Sequence, residues 1–373
     1  MKIHKQLFPL LLSIFFILAP SNAYPCTTFV LRTEKGLVFG RNFDWITGTG
    51  LILTNPRNLE KIALVEPSER AIKWISKFGS ITFNQVGREL PYGGMNESGL
   101  IVEHMTLDET IYPSNDDRYA IGACQWIQFQ LDNYSTVGEV INSDTLLRIV
   151  DATSKFHFLV SDRFGQVAVI EFLNGKMVYH TGKSLPVETL ANSTYEKSID
   201  CYNKNGDTKS NLSLYNFCTS AQKIERFKSS DGDSTINNAF DLLRTVSQGI
   251  GTKWSIVYDI TNMRIYFKIF ETPTIIGEQK IFLKQPGIAD IKYVDLKDLD
   301  FSCNKTSKAL DLNFDKSGNM SPNFIEYSSN INKDFISKAF TFFKGWGINI
   351  SITEEEIDVL SRYPESFRCM TNN

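Results

Sequence analysis

The chain has 373 residues, of which 22% are charged, and its formal net charge is −3. This balance provides no basic field, which excludes a protein that binds nucleic acid or is held on anionic lipid by charge. We therefore expect a small-molecule partner. The length allows two domains or one large mixed fold.

The first 23 residues have the pattern of an export signal. A basic start at residues 1–5 is followed by an apolar run at residues 7–19, and Ser21 and Ala23 are small residues at the −3 and −1 positions of a cleavage site. The apolar run is shorter than the roughly 20 residues that a membrane-spanning helix needs. The pattern predicts a secretory signal peptide over residues 1–23 and an exported, periplasmic or extracellular protein without a stable membrane anchor.

A β-hairpin is predicted directly after Cys26. Residues 27–32 are β-branched and aromatic, residues 33–36 have turn chemistry, and residues 37–41 resume the extended pattern. Further strands are predicted at 51–53, 62–65, 80–83, 100–105, 156–160, 167–172, 176–180, 254–258 and 264–269.

Helical spacing of apolar residues predicts helices between these strands. They fall at 119–132, 137–149, 194–203, 219–228 and 236–247, with two closing helices at 333–343 and 354–362. Antiparallel strand blocks alternate with helix blocks and show no repeating strand–helix–strand period, which favours an α+β fold. Polar residues 306–332 are predicted to be an irregular surface segment.

The chain has six cysteines, and an oxidising compartment permits disulfides. Cys201 with Cys218 and Cys303 with Cys369 are candidate pairs, although spacing does not determine connectivity. None of the cysteines lies in a CxxC motif or at metal-ligand spacing from a histidine, so no metal site is expected.

Cys26 admits three interpretations. It is a structural cysteine, or the lipidated cysteine of a lipoprotein, or an N-terminal nucleophile whose own α-amine is the base. Lipidation requires small residues before the cysteine, and Tyr24 and Pro25 do not fit. The third interpretation requires removal of Tyr24-Pro25, because the α-amine exists only after the bond before Cys26 is cleaved.

The run GRNFDW distinguishes between these interpretations. Arg41 and Asp44 stand 15 and 18 residues after Cys26, where the return strand of the predicted hairpin comes back beside its start. Asp44 would orient the α-amine of Cys26, and Arg41 would favour its thiolate. By itself, the Arg-x-x-Asp pair would be a surface ion pair.

The chain resembles the choloylglycine hydrolase family, which contains bile salt hydrolases and penicillin V acylases. The resemblance rests on five motifs that occur in order over roughly residues 26–330: CTTFVLR, GRNFDW, GGMNESGL, LANST and IERF. It implies an N-terminal-nucleophile amide hydrolase that has a four-layer αββα core of antiparallel sheets and needs no cofactor. It also implies autocatalytic removal of the residues before Cys26.

The resemblance also assigns roles to individual residues. Cys26 matches the nucleophile, Arg41 the arginine beside it, and Asp44 the carboxylate that holds the α-amine. Asn192 matches an oxyanion-hole amide, and a turn asparagine before a helix is the alternative. Arg226 matches a second active-site arginine, and a solvated helix residue is the alternative.

Three further residues are predicted to contact substrate. Thr106 stands where family members carry Asn, Tyr or Trp, so its backbone N–H could still bind an oxyanion while its side chain alters specificity. Trp45 and Phe43, in GRNFDW, and Tyr92, directly before GGMNESGL, suggest an apolar acyl pocket, and core packing is the alternative. Asn96 is interpreted as a turn residue.

The prediction is thus an exported amidohydrolase that acts on a small-molecule N-acyl amide. Its segments are a signal peptide (1–23), a short pro-segment (24–25), a catalytic domain (26–330) and a C-terminal helical extension (331–373). Phenoxyacetyl amides, conjugated bile salts and acyl-homoserine lactones are the candidate substrates, with the penicillin V acylase-like branch preferred. An acyltransferase and a non-catalytic secreted binding protein are the alternative functions. A homo-oligomer remains open.

Overall fold

The computed structural model describes residues 25–151, 154–227, 233–270, 274–276, 279–281, 291–304, 306–345 and 352–370. The predicted signal peptide lies outside these residues, as does Tyr24 of the predicted pro-segment. None of the helices in the described ranges combines the length and apolar character that crossing a membrane would take.

The predicted hairpin after Cys26 is confirmed. Strand β1 (Thr27–Thr33) pairs antiparallel with β2 (Gly36–Asp44), in a register that runs from Thr27 opposite Asn42 to Thr33 opposite Gly36. The turn is closed by Gly36 at φ 137°, a conformation that side chains with a Cβ rarely adopt. The hairpin therefore returns the end of β2 to the start of β1.

This hairpin belongs to a seven-stranded sheet, sheet A, with the order β14-β1-β2-β15-β16-β19-β21. Its other strands are β14 (Thr189–Leu190), β15 (Thr252–Asp259), β16 (Arg264–Ile269), β19 (Lys292–Asp295) and β21 (Gly318–Asn319). All its pairings are antiparallel except the edge pair β19–β21.

A second, nine-stranded sheet, sheet B, has the order β13-β12-β11-β8-β7-β6-β3-β20-β22, and its pairings are antiparallel. Its strands are β3 (Leu51–Asn55), β6 (Ser80–Asn84), β7 (Pro91–Asn96), β8 (Ile101–Thr106), β11 (Phe156–Ser161), β12 (Val167–Leu173), β13 (Lys176–Thr181), β20 (Lys308–Asp311) and β22 (Ile325–Glu326). The described residues also form three small sheets. The first consists of β4 (Leu59–Ile62), β5 (Lys73–Ile75) and β23 (Arg368–Cys369). The second pairs β9 (Tyr119–Ile121) with β10 (Leu147–Ile149), and the third pairs β17 (Thr274–Ile276) with β18 (Gln279–Ile281).

Helices cover the outer faces of both large sheets. The helices are α1 (Ala123–Asn133), α2 (Val137–Asn142), α3 (Tyr195–Asn203), α4 (Leu212–Arg226), α5 (Asp233–Thr245), α6 (Ser329–Gly345) and α7 (Glu354–Arg362). Helix α1 packs on β7 and β8 of sheet B, whereas α4 and α5 pack on β1, β2 and β15 of sheet A. This is the predicted four-layer αββα arrangement of an α+β fold.

The alternation of side chains along β1 explains these layers. Phe29 and Leu31 pack with Leu243 and other apolar residues of α5. Val30 points to the opposite face and joins the main core, which includes Phe83 and Phe158 of sheet B. Because successive strand residues face opposite sides, one strand contributes to both the helix–sheet layer and the sheet–sheet layer.

Two predicted helices are wrong at their ends. Residues 119–121 and 147–149 form parallel strands, so the helices shorten to α1 and α2. Apolar spacing cannot separate a short buried strand from a helix end, and the parallel pairing is a tertiary contact.

Two other predicted elements begin earlier in the structure. The helix predicted at 219–228 begins instead after Asn211, whose side chain caps it by accepting a hydrogen bond from Leu214 N at 3.0 Å. The strand predicted at 62–65 is displaced to Leu59–Ile62.

The C-terminal segment is tied to the main fold. Strand β23 pairs with β4, and Cys303 forms a disulfide with Cys369, which confirms that predicted pair. Cys201 and Cys218 are half-buried free cysteines whose thiols are in hydrogen-bonding contact between α3 and α4, so the second candidate bond is not formed.

We expect the double substitution Cys303→Ser/Cys369→Ser to lower the free energy of unfolding by about 2–4 kcal/mol, because the disulfide closes a long loop in the unfolded chain. The two cysteines are 66 residues apart in sequence. Urea unfolding without reductant measures the change. Cys201→Ser/Cys218→Ser is the matched control and should unfold near the parent's midpoint; an equal loss in both double variants would contradict a specific contribution of the disulfide.

Candidate active site

Cys26 lies immediately before β1 and is buried, with 7% of its surface exposed. Its Sγ lies 3.7 Å from the backbone carbonyl oxygen of Asp44, and the N–H of Asp44 donates to Sγ at 3.5 Å. The β1–β2 register explains this contact, since one more residue pair would place Phe43 across from Cys26. The hairpin thus brings Asp44 directly to the sulfur.

The carboxyl group of Asp44 is buried beside the thiol. Thr252 Oγ1 donates to Asp44 Oδ1, and among the described residues Oδ2 has no hydrogen-bond partner. Burial raises the pKa of Asp44 to about 7, and Thr252, Arg41 and Lys253 oppose that rise. An acceptor oxygen is therefore available next to Cys26.

Arg41 is fully buried and its side chain contacts the Cys26 thiol. Its Nη1 forms an ion pair with Glu103 and also donates to the carbonyl oxygen of Tyr92 at 3.2 Å, while Nη2 donates to that of His104 at 3.1 Å. Tyr258 Oη donates to Glu103. Burial raises the pKa of Glu103 to about 7, and Arg41 opposes the rise. The carboxylate and two carbonyls fix the guanidinium in place.

Gly93, in the GGMNESGL motif, makes room for Glu103. A Cβ at this position would lie 2.0 Å from Glu103 Oε2. The same motif also contains Asn96, whose Oδ1 accepts hydrogen bonds from Ser98 N and Leu100 N at 3.1 and 3.0 Å. Asn96 shapes the β7–β8 turn, as predicted.

The thiol of Cys26 is neutral at ordinary pH while Pro25 remains attached. Burial, and after it the charge of Asp44, raise the pKa of the thiol, which reaches about 11. Arg41, through its charge and a hydrogen bond to the thiol, lowers it, but burial dominates. Formation of a thiolate in this site therefore requires a base close to the sulfur.

Asn192 approaches Cys26 from the other side of β1. Strand β14 pairs with β1 so that Leu190 faces Thr28, and the same register extended by two residues places Asn192 across from Cys26. Asn192 Nδ2 donates to the carbonyl oxygen and Oγ1 of Thr106 at 2.8 and 2.6 Å. The structure therefore brings Asn192 and Thr106 together, and the extended register places Asn192 on the Cys26 end of β1.

The N–H of Thr106 points to the same side as Asn192. Leu107 N donates to the carbonyl oxygen of Lys155 at 3.0 Å, so the preceding pair, Thr106 and Phe156, is a non-hydrogen-bonded pair. In agreement, Phe156 N donates away from β8, to Tyr112 Oη at 3.0 Å. The backbone N–H and C=O of Thr106 thus both face away from β11, towards the Asn192 amide.

A cluster of aromatic side chains, called the aromatic wall below, lies beside these groups. The ring of Phe43 stacks on Trp254 at a centroid distance of 4.3 Å and lies 5.7 Å from the ring of Tyr92. Trp45, half-buried, lies 6.5 Å from Phe43. Tyr92 and Phe43 share the main core with Cys26.

The structure does not bring Arg226 to this site. Arg226 is exposed in the last turn of α4, and its neighbours Ile224 and Phe227 line a cavity of about 760 Å³ at the other end of β1. The residue of α4 that lies at Cys26 is Asn216, ten positions earlier and therefore about 15 Å away along the helix axis. The IERF motif occurs in the order expected from the resemblance to the family, but its arginine lies too far along α4 from Asn216 to reach the thiol.

Sequence reasoning missed Asn216 and Lys253. Asn216 Nδ2 donates to the carbonyl oxygen of Pro25 at 3.2 Å and to Thr27 Oγ1 at 3.0 Å. Lys253 occupies a β-bulge between Thr252 and Trp254, and burial lowers its pKa to about 8 while Asp44 opposes that fall. A bulge is not visible in the alternation of apolar residues, so the sequence carried no signal for Lys253.

The pKa of Asp44 predicts how stability depends on pH. The ordinary value of 3.8 rises to about 7 in the folded chain that retains Pro25. Between these values Asp44 keeps its proton in the folded state and has lost it in the unfolded state. The protonated carboxyl therefore contributes a stability that is fully present below pH 3.8 and is lost as the pH rises through about 7. Cys26→Ala, which keeps Asp44 in the same surroundings, should therefore melt at a lower temperature at pH 8 than at pH 5.

Asp44→Asn in the same Cys26→Ala background is the control for this pH effect. It lacks the titrating carboxyl group, so its melting temperature should fall less between the two pH values. The pKa of Glu103 is raised in the same direction, so Glu103 accounts for part of the fall in melting temperature that remains. An identical fall in both chains would contradict the assignment to Asp44.

Residues 26–235 match the family model described as linear amide C-N hydrolases, choloylglycine hydrolase family. The match covers more than half of the chain. The chain belongs to the choloylglycine hydrolase family. It is accordingly an amidohydrolase of the class that acts on linear carbon–nitrogen bonds in small molecules.

Individual relatives agree with this assignment to the choloylglycine hydrolase family. A penicillin V acylase of Pectobacterium atrosepticum is 24% identical over 339 residues, which covers 77% of this chain and 85% of the relative. The structure of a penicillin V acylase from Agrobacterium tumefaciens matches with a TM-score of 0.67 and 25% identity over 81% of this chain and 98% of that one. A conjugated bile acid hydrolase variant from Clostridium perfringens shares the fold, with a TM-score of 0.60 and 17% identity over 79% and 98% of the two chains.

Proposed function

We propose that the protein is an exported cysteine hydrolase that cleaves a linear amide through a thioester on Cys26, with penicillin V acylase-like specificity. The observation that carries the proposal is the contact of Asp44 and Arg41 with the buried Cys26 thiol at the start of β1. The relatives named penicillin V acylase support the choice of substrate class.

The reaction begins with the α-amine of Cys26, which is free once Pro25 has been removed. The amine accepts the thiol proton, and the sulfur attacks the carbonyl carbon of the substrate amide. Asp44 Oδ2 accepts a hydrogen bond from the resulting ammonium and orients it. The ammonium then protonates the leaving nitrogen, and water, activated by the same amine, hydrolyses the thioester and restores the thiol.

Asn192 Nδ2 and the N–H of Thr106 are the proposed donors to the tetrahedral oxyanion. They lie on the same side of β8. The Asn192 amide has two N–H donors, so it can keep its bond to the Thr106 carbonyl and exchange its bond to Thr106 Oγ1 for one to the oxyanion. Both donors are held before substrate arrives, which is what makes such a site effective.

Asn192→Ala should lower kcat by about 10²–10³-fold, because one preorganised oxyanion donor is lost. Initial rates at saturating substrate measure this effect, with KM determined alongside. Thr106→Val is the matched control: it keeps the backbone N–H and removes only Oγ1, so kcat should stay near the parent's. A larger loss for Thr106→Val than for Asn192→Ala would contradict the assignment of donors.

Three classes of amide distinguish the specificities of this family. Purified protein should hydrolyse penicillin V, a phenoxyacetyl amide, faster than conjugated bile salts or acyl-homoserine lactones. The wall formed by Phe43, Trp45 and Tyr92 is suited to a flat aromatic acyl group, which packs against rings in offset or edge-to-face contact. Preferential turnover of either of the other two classes would overturn the proposed specificity.

The N-terminus of the active protein tests the mechanism and the export route together. Signal peptidase is expected to cleave after Ala23, and a second cleavage must then remove Tyr24-Pro25. The mature protein should begin at Cys26 and be recovered outside the cytoplasm. N-terminal sequencing of active enzyme that begins at Tyr24 would exclude the α-amine of Cys26 as the base.

A further inference from the structure

The peptide bond before Cys26 has its own hydrogen-bond donor. Pro25 is buried, and its carbonyl oxygen accepts a hydrogen bond from Asn216 Nδ2 at 3.2 Å. The same amide nitrogen donates to Thr27 Oγ1 at 3.0 Å. One side chain thus contacts the residues on both sides of Cys26.

The Asn216 amide is held in a fixed orientation. Asn216 is fully buried on the face of α4 that packs on β1. Gln248 Nε2 donates to Asn216 Oδ1 at 3.3 Å, so the oxygen end of the amide is occupied and its nitrogen end faces Pro25. This arrangement is a preorganised donor aimed at a carbonyl that must become a tetrahedral oxyanion if the bond is cleaved.

We propose that Asn216 is the oxyanion donor for cleavage of the Pro25–Cys26 bond, separate from the Asn192 and Thr106 donors that serve the amide substrate. The proposal rests on the proposed function, since cleavage matters only if the α-amine of Cys26 is the base. While Pro25 is attached, Asn192 Nδ2 is bonded to Thr106 and Asn216 Nδ2 is bonded to Pro25. The two side-chain amides therefore donate to different carbonyl oxygens.

The cleavage balances without a cofactor. The Cys26 sulfur attacks the carbonyl carbon of Pro25, and the negative charge on the Pro25 oxygen is stabilised by Asn216 Nδ2. The carbon–nitrogen bond then breaks, the thiol proton passes to the nitrogen of Cys26, and a Pro25 thioester is left on the sulfur. Water adds hydroxyl to the carbonyl carbon and a proton to the sulfur, which releases Pro25 as a carboxylic acid and restores the thiol of Cys26. The acid's proton passes to the amine of Cys26, so the products carry a carboxylate and an ammonium group.

The experiment follows this cleavage by intact mass in a chain made with an initiator methionine before Tyr24. A pulse of cell-free synthesis fixes the starting time, and loss of the residues before Cys26 is the readout. Asn216→Asp keeps the size of the side chain and removes the donor, and it should slow cleavage by about 10²–10³-fold. Asn216→Ala is carried in parallel, so that a variant without an added charge is also measured.

Asn96→Asp is the matched control. Asn96 is also fully buried, and its Nδ2 donates to two carbonyl oxygens, those of Leu131 and Tyr134, at 2.8 Å each. Folded Asn96→Asp should cleave at the parent's rate. Cleavage of either Asn216 variant at the parent's rate would overturn the proposal.

A second chain separates this role from turnover. When an initiator methionine stands directly before Cys26, methionine aminopeptidase exposes the α-amine without self-cleavage. Asn216→Asp in this chain should have amide-hydrolase activity of the same order as its parent; if it is inactive while folded and begins at Cys26, Asn216 acts in turnover and the proposal is wrong. If the parent chain is active with Tyr24-Pro25 still attached, the proposed function itself fails, and the result is visible before any variant is compared.

Discussion

Cys26→Ala should abolish amide hydrolysis, with a loss of at least about 10⁴-fold, because the proposed thioester forms on the sulfur that this substitution removes. The same variant should keep the residues before Cys26, since the sulfur is also the proposed nucleophile of the self-cleavage. Only one sulfur atom is removed from the core, so the melting temperature should remain close to the parent's. Initial rates, intact mass and thermal unfolding measure the three expectations.

Cys124→Ala is the control for this substitution. Cys124 is another buried free cysteine, on α1, and burial raises its pKa well above the ordinary value. It should lose a similar amount of packing and keep full activity. Residual hydrolysis by Cys26→Ala at more than a few per cent of the parent's rate would contradict Cys26 as the nucleophile.

Gly93→Ala should be strongly destabilising, with a loss of about 3–5 kcal/mol in the free energy of unfolding. The new Cβ would lie 2.0–2.4 Å from the carboxylate atoms of Glu103, which is fully buried and ion-paired with Arg41. Moving that carboxylate breaks a buried ion pair, and changes of this kind cost several kcal/mol. Activity should fall as well, because Arg41 contacts the Cys26 thiol.

Gly122→Ala is the matched control, since a Cβ there meets its nearest atom at 3.9 Å, an ordinary contact. It should change stability by less than about 1 kcal/mol. Glu103→Ala should relieve the clash, so the double variant Gly93→Ala/Glu103→Ala should be less destabilised than the sum of its two single variants. Additive losses would show that the carboxylate is not what Gly93 accommodates.

Local pattern was a good guide to most strands and a poorer guide to the helix ends. It was wrong for residues 306–332, which were predicted to be an irregular surface segment but contribute β20 and β22 to sheet B and β21 to sheet A. The hairpin β1–β2 follows from alternating β-branched residues and a glycine turn, which are properties of neighbouring residues. The helix predicted at 119–132 is shorter because Tyr119–Ile121 pairs with Leu147–Ile149. That pairing joins residues far apart in sequence, so no window of the chain contains it.

The same distinction applies to the site. Cys26, Arg41 and Asp44 lie on one hairpin, and a hairpin's register follows from the length of its turn, so their meeting is predictable from the sequence. Asn192 depends on the pairing of β14 with β1, for which only the resemblance to the family provided a signal. Arg226 shows the limit of that signal, because the motif was present and its residue was exposed.

The sequence by itself determined that Cys26 meets its two hairpin partners and that the fold is of the α+β class, because each depends on contacts between residues close along the chain. The tertiary structure alone decided that Glu103 fixes Arg41, that the N–H of Thr106 faces Asn192, and that Asn216 rather than Arg226 reaches the residues beside Cys26 from α4. Those contacts join residues about 60 to 190 positions apart. Their geometry arises only when two sheets and their covering helices pack together.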